Sequence, residues 1–424
     1  MKLTVNPINK IQGEVRVPGD KSVSHRALIL SSLANGQTIV NNFLEASDTL
    51  STLSCLKSLG VQAYFEHGRL IINGVGKTGF IKSKKLLDAG NSGTTMRILP
   101  AILAAQSFTS SITGDDSLRK RPMDRVIKPL SLMGADISSK NGYAPLEING
   151  TQLKGITYEL PVASAQVKSA VLIAGLLAKG QTTVIEPQKS RDHTERMLNY
   201  LGAAITSENN EIRIKGQTQL TGLPIEIPGD LSSAAFFIAA SLIVPDSKLT
   251  VVGTGVNPTR TGFLQVIKRM GASISLENEA LKNNEPIADI VTKTSSLSAI
   301  EISKDIIPLA IDEIPILAVL ATQAEGTTII KDAAELKLKE TDRITAIAAE
   351  LKKMNANIEA TNDGLIINGP TKLKGAVVES YGDHRMAMSL AIAGLVASGQ
   401  TTIQGSECIN ISFPRFYELL KVLI

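Results

Sequence analysis

The feature that most constrains the fold of this chain is a segment of roughly 70 residues that recurs six times. Each copy opens with a polar loop, continues into an apolar helix of small residues and turns, through Gly-x-Thr or a related sequence, into a strand. A second helix that ends near Gly-Ala and further strands complete the copy. The copies open at residues 20, 91, 164, 230, 312 and 383, at intervals of between 66 and 82 residues. Because each copy mixes helices with strands, we predict an α/β protein rather than a thin solenoid.

The first copy shows how these openings are built. A Pro-Gly pair at 18–19 ends the preceding strand, and Asp20 or Ser22 can cap a helix that begins at about Lys21. The first turn also carries Arg26, where free backbone N–H groups and the helix dipole favour an anion. A capped helix with a merely solvated basic turn would share this sequence. The recurrence of the same arrangement favours a phosphate or carboxylate site.

The two ends of the chain predict two lobes. The sixth copy ends on a helix at 413–420 with no final strand, whereas residues 3–17 contain strands with no helix before them. We therefore expect the N-terminal segment to complete the last copy. The Pro-Gly-Asp sequences where the chain would cross supply glycines for hinges. The predicted lobes are residues 1–18 with 229–424, and residues 19–228, with hinges near 17–20 and 227–230.

The first helix of each copy is apolar on most sides, so it should be buried beneath sheets and amphipathic second helices. If three such helices run parallel inside each lobe, their positive N-terminal ends point at one cleft. We expect that cleft to bind anions, because the polar residues of the copies collect at these helix starts.

Composition excludes several other classes of protein. The net charge is only +4, aromatic residues make up 4%, and tryptophan is absent, which argues against a nucleic-acid surface. The two cysteines form no disulfide framework, and no apolar run approaches the ~20 residues of a membrane span. We therefore expect a cytoplasmic protein.

Further polar groups are candidates for chemistry, although each has an ordinary structural explanation. Residues 119–121 place three cations in a loop before a helix, and Arg191 precedes another helix. On a helix, Lys339, Glu340 and Arg343 would share one face, which a plain ion-paired helix would also explain. The four histidines lack metal-ligand spacing, and Walker, dinucleotide and nucleophile-elbow motifs are missing. We expect neither a metal nor a cofactor.

Taken together, six motifs resemble those of the 5-enolpyruvylshikimate-3-phosphate (EPSP) synthase family, in order and over the whole chain. They are Gly19-Asp20-Lys21-Ser22-x-Ser-x-Arg26, the segment 90–97 (GNSGTTMR), Arg121-Pro122, Ser164-Ala165-Gln166, the segment 339–343 (KETDR) and the segment 383–388 (DHRMAM).

The resemblance implies a fold of two lobes, each of three repeated βαβαββ units with parallel buried helices, which is an inside-out α/β barrel that closes over substrate. It also implies transfer of the enolpyruvyl group of phosphoenolpyruvate to the 5-hydroxyl of shikimate 3-phosphate, through a tetrahedral intermediate and with release of phosphate. These small-molecule substrates belong to aromatic amino acid biosynthesis, and the implied enzyme is a monomer without a cofactor.

The resemblance also implies the roles of individual residues. Proton transfers are assigned to Lys21, Asp312 and Glu340, and how they divide among the three stays open. The implied shikimate 3-phosphate ligands are Lys21, Ser22, Arg26, Ser164, Ala165, Gln166, Arg191, Asp312 and Lys339. The implied phosphoenolpyruvate ligands are Lys21, Asn91, Gly93, Arg121, Gln166, Arg343 and Arg385.

The sequence departs from the family pattern in places. Many members have Ser where this chain has Ala165, and some have a Lys before the final Thr-Phe-Pro, where this chain has Asn410-Ile411-Ser412. The segment around Arg191 is of the family's less common type. Glyphosate, the family's mimic of phosphoenolpyruvate, should inhibit, since Gly93 has no side chain to block it.

Two alternatives remain open at this point. One is the related transferase that acts on UDP-N-acetylglucosamine, which typically carries a Cys on the mobile loop where this chain has 119–123. The other is a non-catalytic repeat protein that binds anions. Such a protein would spread its basic residues over an outer face, rather than place them among carboxylates such as Asp312 and Glu340.

Overall fold

The computed structural model describes residues 1–423, which form two compact units. We call residues 19–228 with 281–285 the N unit, and residues 1–18, 229–280 and 286 onward the C unit. Each unit has its own apolar core. The segment 281–285, which the predicted boundaries place in the 229–424 lobe, belongs to the N unit. There His193 Nδ1 lies 2.8 Å from Glu285 Oε1, and the backbone N–H of Glu226 donates to Asn283 Oδ1 at 2.8 Å.

The elements alternate as the repeat predicts. From the N-terminus to the end of the second copy, they are β1 (Lys2–Val5), β2 (Gln12–Val15), α1 (Lys21–Leu33), β3 (Ala34–Asn41), α2 (Ser47–Ser58), β4 (Gln62–Glu66), β5 (Arg69–Val75), β6 (Leu87–Asp88), α3 (Gly93–Leu103), β7 (Thr109–Thr113), α4 (Asp116–Arg119), α5 (Asp124–Leu132), β8 (Asp136–Lys140) and β9 (Tyr143–Asn149). The third copy and the strands that follow it are β10 (Thr157–Glu159), α6 (Ala165–Leu177), β11 (Gln181–Ile185), α7 (His193–Tyr200), β12 (Ile205–Glu208), β13 (Glu211–Lys215), β14 (Leu220–Thr221) and β15 (Ile225–Glu226).

The second half of the chain repeats this order. The fourth copy contains α8 (Leu231–Ile243), β16 (Lys248–Gly255), α9 (Gly262–Arg269), β17 (Ser273–Lys282) and β18 (Glu285–Lys293). The fifth contains β19 (Glu301–Ile302), a 3-10 turn (Lys304–Ile306), α10 (Ile307–Ala310), α11 (Ile314–Gln323), β20 (Gly326–Ile330), a 3-10 turn (Ala334–Leu338), α12 (Arg343–Lys353), β21 (Asn357–Ala360) and β22 (Leu365–Gly369). The sixth contains β23 (Val377–Glu379), α13 (His384–Leu395), β24 (Thr401–Gln404), a 3-10 turn (Ser406–Ile411) and α14 (Phe416–Leu423).

Within residues 1–423 the strands form six open sheets, one for each copy. The second copy shows the pattern, with strand order β6-β7-β9-β8. Its first two strands are parallel and joined by a buried helix, and its last two form an antiparallel hairpin. The third and fifth copies repeat this order. Each complete copy is therefore a βαβαββ unit.

Three sheets are completed by strands from elsewhere in the chain. β14 and β15 pair in parallel with β3, whereas β2 pairs in parallel with β16, so the first and fourth copies gain their first strands. β1 pairs antiparallel with β24, which confirms that the N-terminus completes the last copy. The expectation that the N-terminal segment completes the last copy was wrong for β2, because this strand supplies the parallel partner that the fourth copy otherwise lacks.

The first helix of each copy is buried, as predicted. In the N unit α3 packs against α6 and contacts α1; in the C unit α8, α11 and α13 contact one another. A residue at the N-cap fixes where five of these helices begin, because its side chain accepts a backbone N–H of the first turn. Those caps are Asp20, Ser92, Ser164, Asp230 and Asp383. Helix α1 begins at Lys21, as predicted. Among residues 1–423, none of the helices combines the length and apolar character that a membrane-crossing segment requires.

Candidate functional site

In the N unit, hydrogen bonds link the first two turns of α6 to those of α1 and α3. Arg26 of α1 donates from Nη2 to Ser169 Oγ of α6 at 2.7 Å, and Arg97 of α3 donates from Nη1 to Gln166 Oε1 of α6 at 2.8 Å. The three helix starts therefore meet, which places their free backbone N–H groups and positive dipole ends close together.

Arg26 is buried rather than displayed at the surface. Its Nε donates to Thr194 Oγ1 at 2.6 Å and its Nη1 to the Ser22 carbonyl at 2.9 Å. Burial lowers its pKa to about 10, against the raising effect of Glu195, and the nearby Arg191 lowers it further. The guanidinium is still cationic at neutral pH, and the hydrogen-bond acceptors named here are neutral oxygens.

Lys21 stands at the first position of α1 beside Asp48 of α2. Its Nζ lies 3.0 Å from Asp48 Oδ2, and its side chain is 20% exposed. Sequence reasoning did not find Asp48, because a carboxylate 27 positions away gives no local signal. The adjacent Ser22 contributes its carbonyl to Arg26.

Gly93 lies between two guanidinium groups at the start of α3. A Cβ added there would meet Arg97 Nη1 at 3.0 Å and Arg121 Nη1 at 3.6 Å. Arg121 also donates from Nη2 to Asn91 Oδ1 at 3.3 Å, and Asn91 donates to Asp115 Oδ2 at 2.7 Å. The structure thus brings the predicted residues Asn91, Gly93 and Arg121 together with Arg97 of the same GNSGTTMR segment. The segment 119–121 differs from the predicted loop, because Arg119 ends the short helix α4.

The remaining predicted residues of the N unit lie around α6 and α7. Ser164 caps α6, Ala165 is its first residue, and Gln166 donates from Nε2 to Thr94 Oγ1 at 3.2 Å. Arg191 is half-buried in the loop before α7. That loop is anchored by the fully buried Lys168, whose Nζ lies 2.8 Å from Glu186 Oε2 and 2.6 Å from Glu195 Oε1.

In the C unit, four cations face the carboxylate of Asp312. Lys339 Nζ and Arg343 Nη1 lie 3.8 and 3.6 Å from Oδ1, while Arg385 Nη2 and Arg260 Nη1 lie 3.8 and 3.9 Å from Oδ2. Arg385 also donates from Nη1 to the Asp312 carbonyl at 3.1 Å. The predicted residues Asp312, Lys339, Arg343 and Arg385 therefore form one cluster, to which the structure adds Arg260.

Arg343 links a second carboxylate to this cluster. It donates from Nη2 to Glu340 Oε2 at 2.7 Å and from Nε to Asp383 Oδ2 at 2.7 Å. Burial alone would lower its pKa, but Asp383, Glu340 and Asp312 together raise it above the ordinary value. Arg343 therefore remains a cation at every pH at which the protein is folded.

The prediction that Lys339 and Glu340 lie on a helix was wrong. Helix α12 begins at Arg343, and Asp342 caps it by accepting the backbone N–H groups of Ile344 and Thr345 at 3.1 and 3.2 Å. Lys339 has an extended backbone after the preceding 3-10 turn. The Glu340–Arg343 contact survives because the loop returns the carboxylate to the first turn of the helix.

Arg26 and Arg97 differ from Arg343 in the hydrogen-bond partners described above. In the N unit, Arg26 and Arg97 donate to hydroxyl, carbonyl and amide oxygens. In the C unit, Arg343 donates to two carboxylates and lies near a third. Guanidinium groups can bind phosphates and carboxylates, and ionised carboxylates can accept protons, so the two sets of contacts offer different chemistry.

Comparison with known proteins identifies the family. A profile of "EPSP synthase (3-phosphoshikimate 1-carboxyvinyltransferase)" matches residues 5–420. The 3-phosphoshikimate 1-carboxyvinyltransferase of Desulforamulus reducens is 53% identical, with each chain covered completely. The enzyme of that name from Petrotoga mobilis is 54% identical, with 99% of each chain covered.

Solved structures agree with this assignment. EPSP synthase from Acinetobacter baumannii superposes with a TM-score of 0.91 at 46% identity, covering 100% of this chain and 98% of that one. The enolpyruvyl transferase NikO from Streptomyces tendae shares the fold, with a TM-score of 0.81 at 18% identity and coverage of 99% and 96%. The predicted fold class is confirmed. The chain therefore belongs to the EPSP synthase family, and it is an enolpyruvyl transferase of the shikimate pathway.

Proposed function

We propose that the guanidinium groups of both clusters bind substrate anions, while Asp312 and Glu340 of the C unit, with Lys21 of the N unit, move protons. The observation that supports this proposal is the set of contacts that these groups make. Arg26 donates to hydroxyl and carbonyl oxygens and Arg97 to an amide oxygen, and guanidinium groups form stronger, charge-assisted bonds with a phosphate or carboxylate. By contrast, Asp312 and Glu340 are carboxylates placed against cations.

The ligand residues proposed for each substrate are those that the family resemblance implies. Shikimate 3-phosphate is assigned to Lys21, Ser22, Arg26, Ser164, Ala165, Gln166 and Arg191 of the N unit, with Asp312 and Lys339 of the C unit. Phosphoenolpyruvate is assigned to Lys21, Asn91, Gly93, Arg121 and Gln166 of the N unit, with Arg343 and Arg385 of the C unit. Planar guanidinium groups suit both phosphate and carboxylate, because each can accept two parallel N–H bonds.

The transfer consists of an addition step followed by an elimination step, and both steps require proton transfer. The 5-hydroxyl oxygen of shikimate 3-phosphate bonds to C2 of phosphoenolpyruvate and loses its proton, while the vinyl CH2 gains a proton and becomes a methyl group. The resulting tetrahedral intermediate then loses a methyl proton and phosphate, which restores the double bond. Lys21, Asp312 and Glu340 are the groups proposed to carry these protons.

A matched pair of carboxylate variants tests the assignment. Glu340→Gln should lower kcat by roughly 10² to 10⁴-fold, because an amide cannot accept the proton. Binding of shikimate 3-phosphate, measured by calorimetry, should change little. Glu359→Gln, on the exposed face of β21, is the control and should retain full turnover. Near-normal turnover of Glu340→Gln would remove Glu340 from the mechanism.

We also propose that the enzyme acts as a monomer in the cytoplasm. Each unit closes its own core, the substrates are small molecules, and Cys55 and Cys408 are buried free thiols of the kind that a reducing compartment preserves. Sedimentation velocity at micromolar concentration should give the 45.1 kDa mass of one chain. A species of twice that mass would contradict the monomer, and recovery of the protein in a fraction other than the cytoplasm would contradict the location.

A further inference from the structure

Arg260 is a buried cation of the C unit that sequence reasoning did not assign. It lies in the loop between β16 and α9, and its side chain is only 4% exposed. Nη2 donates to Ser232 Oγ at 2.7 Å and lies 3.3 Å from Asp230 Oδ1, while Nη1 lies 3.9 Å from Asp312 Oδ2. One guanidinium group thus contacts the start of α8 and the carboxylate proposed to transfer protons.

A second path connects Arg260 to the same place. The hydroxyl of Ser232, which accepts the hydrogen bond from Arg260, donates its own proton to Glu313 Oε1. Glu313 is fully buried and immediately follows Asp312 in the chain. Arg260 therefore holds Asp312 both through the direct ion pair and through the Ser232–Glu313 hydrogen bond.

The other cations around Asp312 have different tasks in the proposed function. Lys339 is assigned to shikimate 3-phosphate, and Arg343 and Arg385 to phosphoenolpyruvate. Arg343 also contacts Glu340 and Asp383, and Arg385 Nη1 lies 3.6 Å from Glu313 Oε1. These charged groups, together with Asp230 beside Arg260, face Asp312 or its cations from the packed elements. Arg260 alone among the four cations has no substrate assigned to it.

We propose that Arg260 is a positioning residue that orients the Asp312 carboxylate and keeps it ionised while the neighbouring cations engage substrate. This inference rests on the proposed role of Asp312 and adds a residue to it. Arg260 acts on Asp312 and not on the substrate. Its side chain is anchored by Ser232 in the first turn of α8 and by the N-cap residue Asp230, so its position does not depend on whether substrate is present.

The proposal predicts a change in the pH profile. Replacing Arg260 with Gln removes one cation from beside Asp312, which favours the protonated carboxyl group. The acidic limb of kcat against pH should then move upward by about one pH unit. The lost anchor should also lower kcat by about 10-fold or more at pH 7.5, because small displacements of a reacting group are costly. Arg260→Lys keeps the charge, so its acidic limb should stay near that of the wild type.

The experiment measures kcat from pH 5 to 9 for the wild type, Arg260→Gln, Arg260→Lys and the control Arg269→Gln, with thermal unfolding of each. Arg269 ends α9 on its exposed face and should tolerate the change. If Arg260→Gln fails to fold, the Ser232→Ala variant tests the proposal instead. Its kcat should fall several-fold, because the hydrogen-bond path through Ser232 and Glu313 is removed. A wild-type kcat in Ser232→Ala would overturn the proposal.

Two further outcomes would also overturn it. One is a folded Arg260→Gln with an unmoved acidic limb. The other is an equal loss of kcat in Arg260→Gln and Arg260→Lys with no shift of the acidic limb in either variant, which would show a merely structural role. A failure of the proposed role of Asp312 can be told apart from a failure of the proposal for Arg260, because in the first case Asp312→Asn would keep wild-type turnover.

Discussion

The Nε–H of Arg343 donates to the Asp383 carboxylate at 2.7 Å, and both side chains are buried in the C unit. Asp383 also caps α13, since its Oδ1 accepts the backbone N–H of Arg385 at 2.8 Å. One carboxylate thus fixes the guanidinium that contacts Glu340 and the helix turn that carries Arg385. The geometry of the C-unit cluster depends on this bond.

Asp383→Asn should destabilise the protein while leaving the helix cap intact. Asn caps helices about as well as Asp does. However, the variant leaves the buried charge of Arg343 with fewer counter-charges, which should lower the free energy of unfolding by about 3 kcal/mol. Urea unfolding should show this as a lower midpoint. Asp342→Asn, at the cap of α12, is the matched control and should change the free energy of unfolding by less than about 0.5 kcal/mol. Equal effects of the two variants would contradict the role given to the Arg343–Asp383 bond.

Gly93→Ala should weaken phosphoenolpyruvate binding without destabilising the fold. The added Cβ would meet Arg97 Nη1 at 3.0 Å, so the guanidinium must move and its bond to Gln166 must lengthen. We expect the KM for phosphoenolpyruvate to rise about 10-fold, equivalent to 1.4 kcal/mol, and inhibition by glyphosate to weaken in parallel. Gly93 is the first residue of α3, where Ala is favourable, so the melting temperature should not fall. Unchanged steady-state constants and an unchanged glyphosate inhibition constant would refute the assignment of Gly93.

His25 should make stability depend on pH. Burial lowers its pKa to about 3, against the raising effect of Asp48, whereas the ordinary value is 6.5. Between these values the unfolded chain binds more protons, so the free energy of unfolding rises with pH in this window by at most about 1.4 kcal/mol per unit. The contribution is lost as the pH falls from 6.5 toward 3.

His25→Asn removes the titrating ring while leaving an amide for Thr52, whose Oγ1 lies 2.7 Å from the ring Nδ1. Urea unfolding between pH 4 and 7 should therefore show a shallower slope for this variant. His67→Asn, at an exposed turn, is the control. Parallel slopes for the wild type and His25→Asn would show that His25 does not cause the dependence.

Lys168→Met should be costly because it leaves Glu186 and Glu195 buried without their cation. Burial alone would lower the pKa of Lys168, but these two carboxylates raise it above its ordinary value. Removing one partner of such an ion pair costs about 3–5 kcal/mol. The KM for shikimate 3-phosphate should also rise, since Lys168 anchors the loop that carries Arg191 by donating to the Ser190 carbonyl at 3.3 Å.

Lys179→Met, at an exposed position two residues after the end of α6, provides the control. Adding Glu195→Gln to Lys168→Met should recover part of the lost stability, because one uncompensated charge is removed. If a folded Lys168→Met variant has an unchanged KM for shikimate 3-phosphate, the Lys168–Glu186–Glu195 cluster does not position Arg191.

The sequence predicts local features well, as the helix starts show. Asp20, Ser164 and Asp383 each cap a helix one residue later, and a cap depends only on its neighbours. The prediction that 339–343 is helical was wrong because it relied on charged residues three and four positions apart. Asp342, a typical N-cap residue, was the stronger signal, and it indicates a helix that begins at Arg343.

What the sequence does not reveal is pairing between distant segments. β2 joins the sheet of the fourth copy, more than 200 residues away in the chain, because a parallel strand was missing there. The packing of separate elements brings Asp48 to Lys21, and it likewise brings Arg260 to Asp312. Such contacts follow from the tertiary fold and leave no periodic pattern in the sequence.

The most direct test of the account is phosphate release from the purified enzyme with phosphoenolpyruvate, comparing shikimate 3-phosphate with UDP-N-acetylglucosamine as the acceptor. We predict release with shikimate 3-phosphate alone. Release with UDP-N-acetylglucosamine, or with neither acceptor in folded protein, would contradict it.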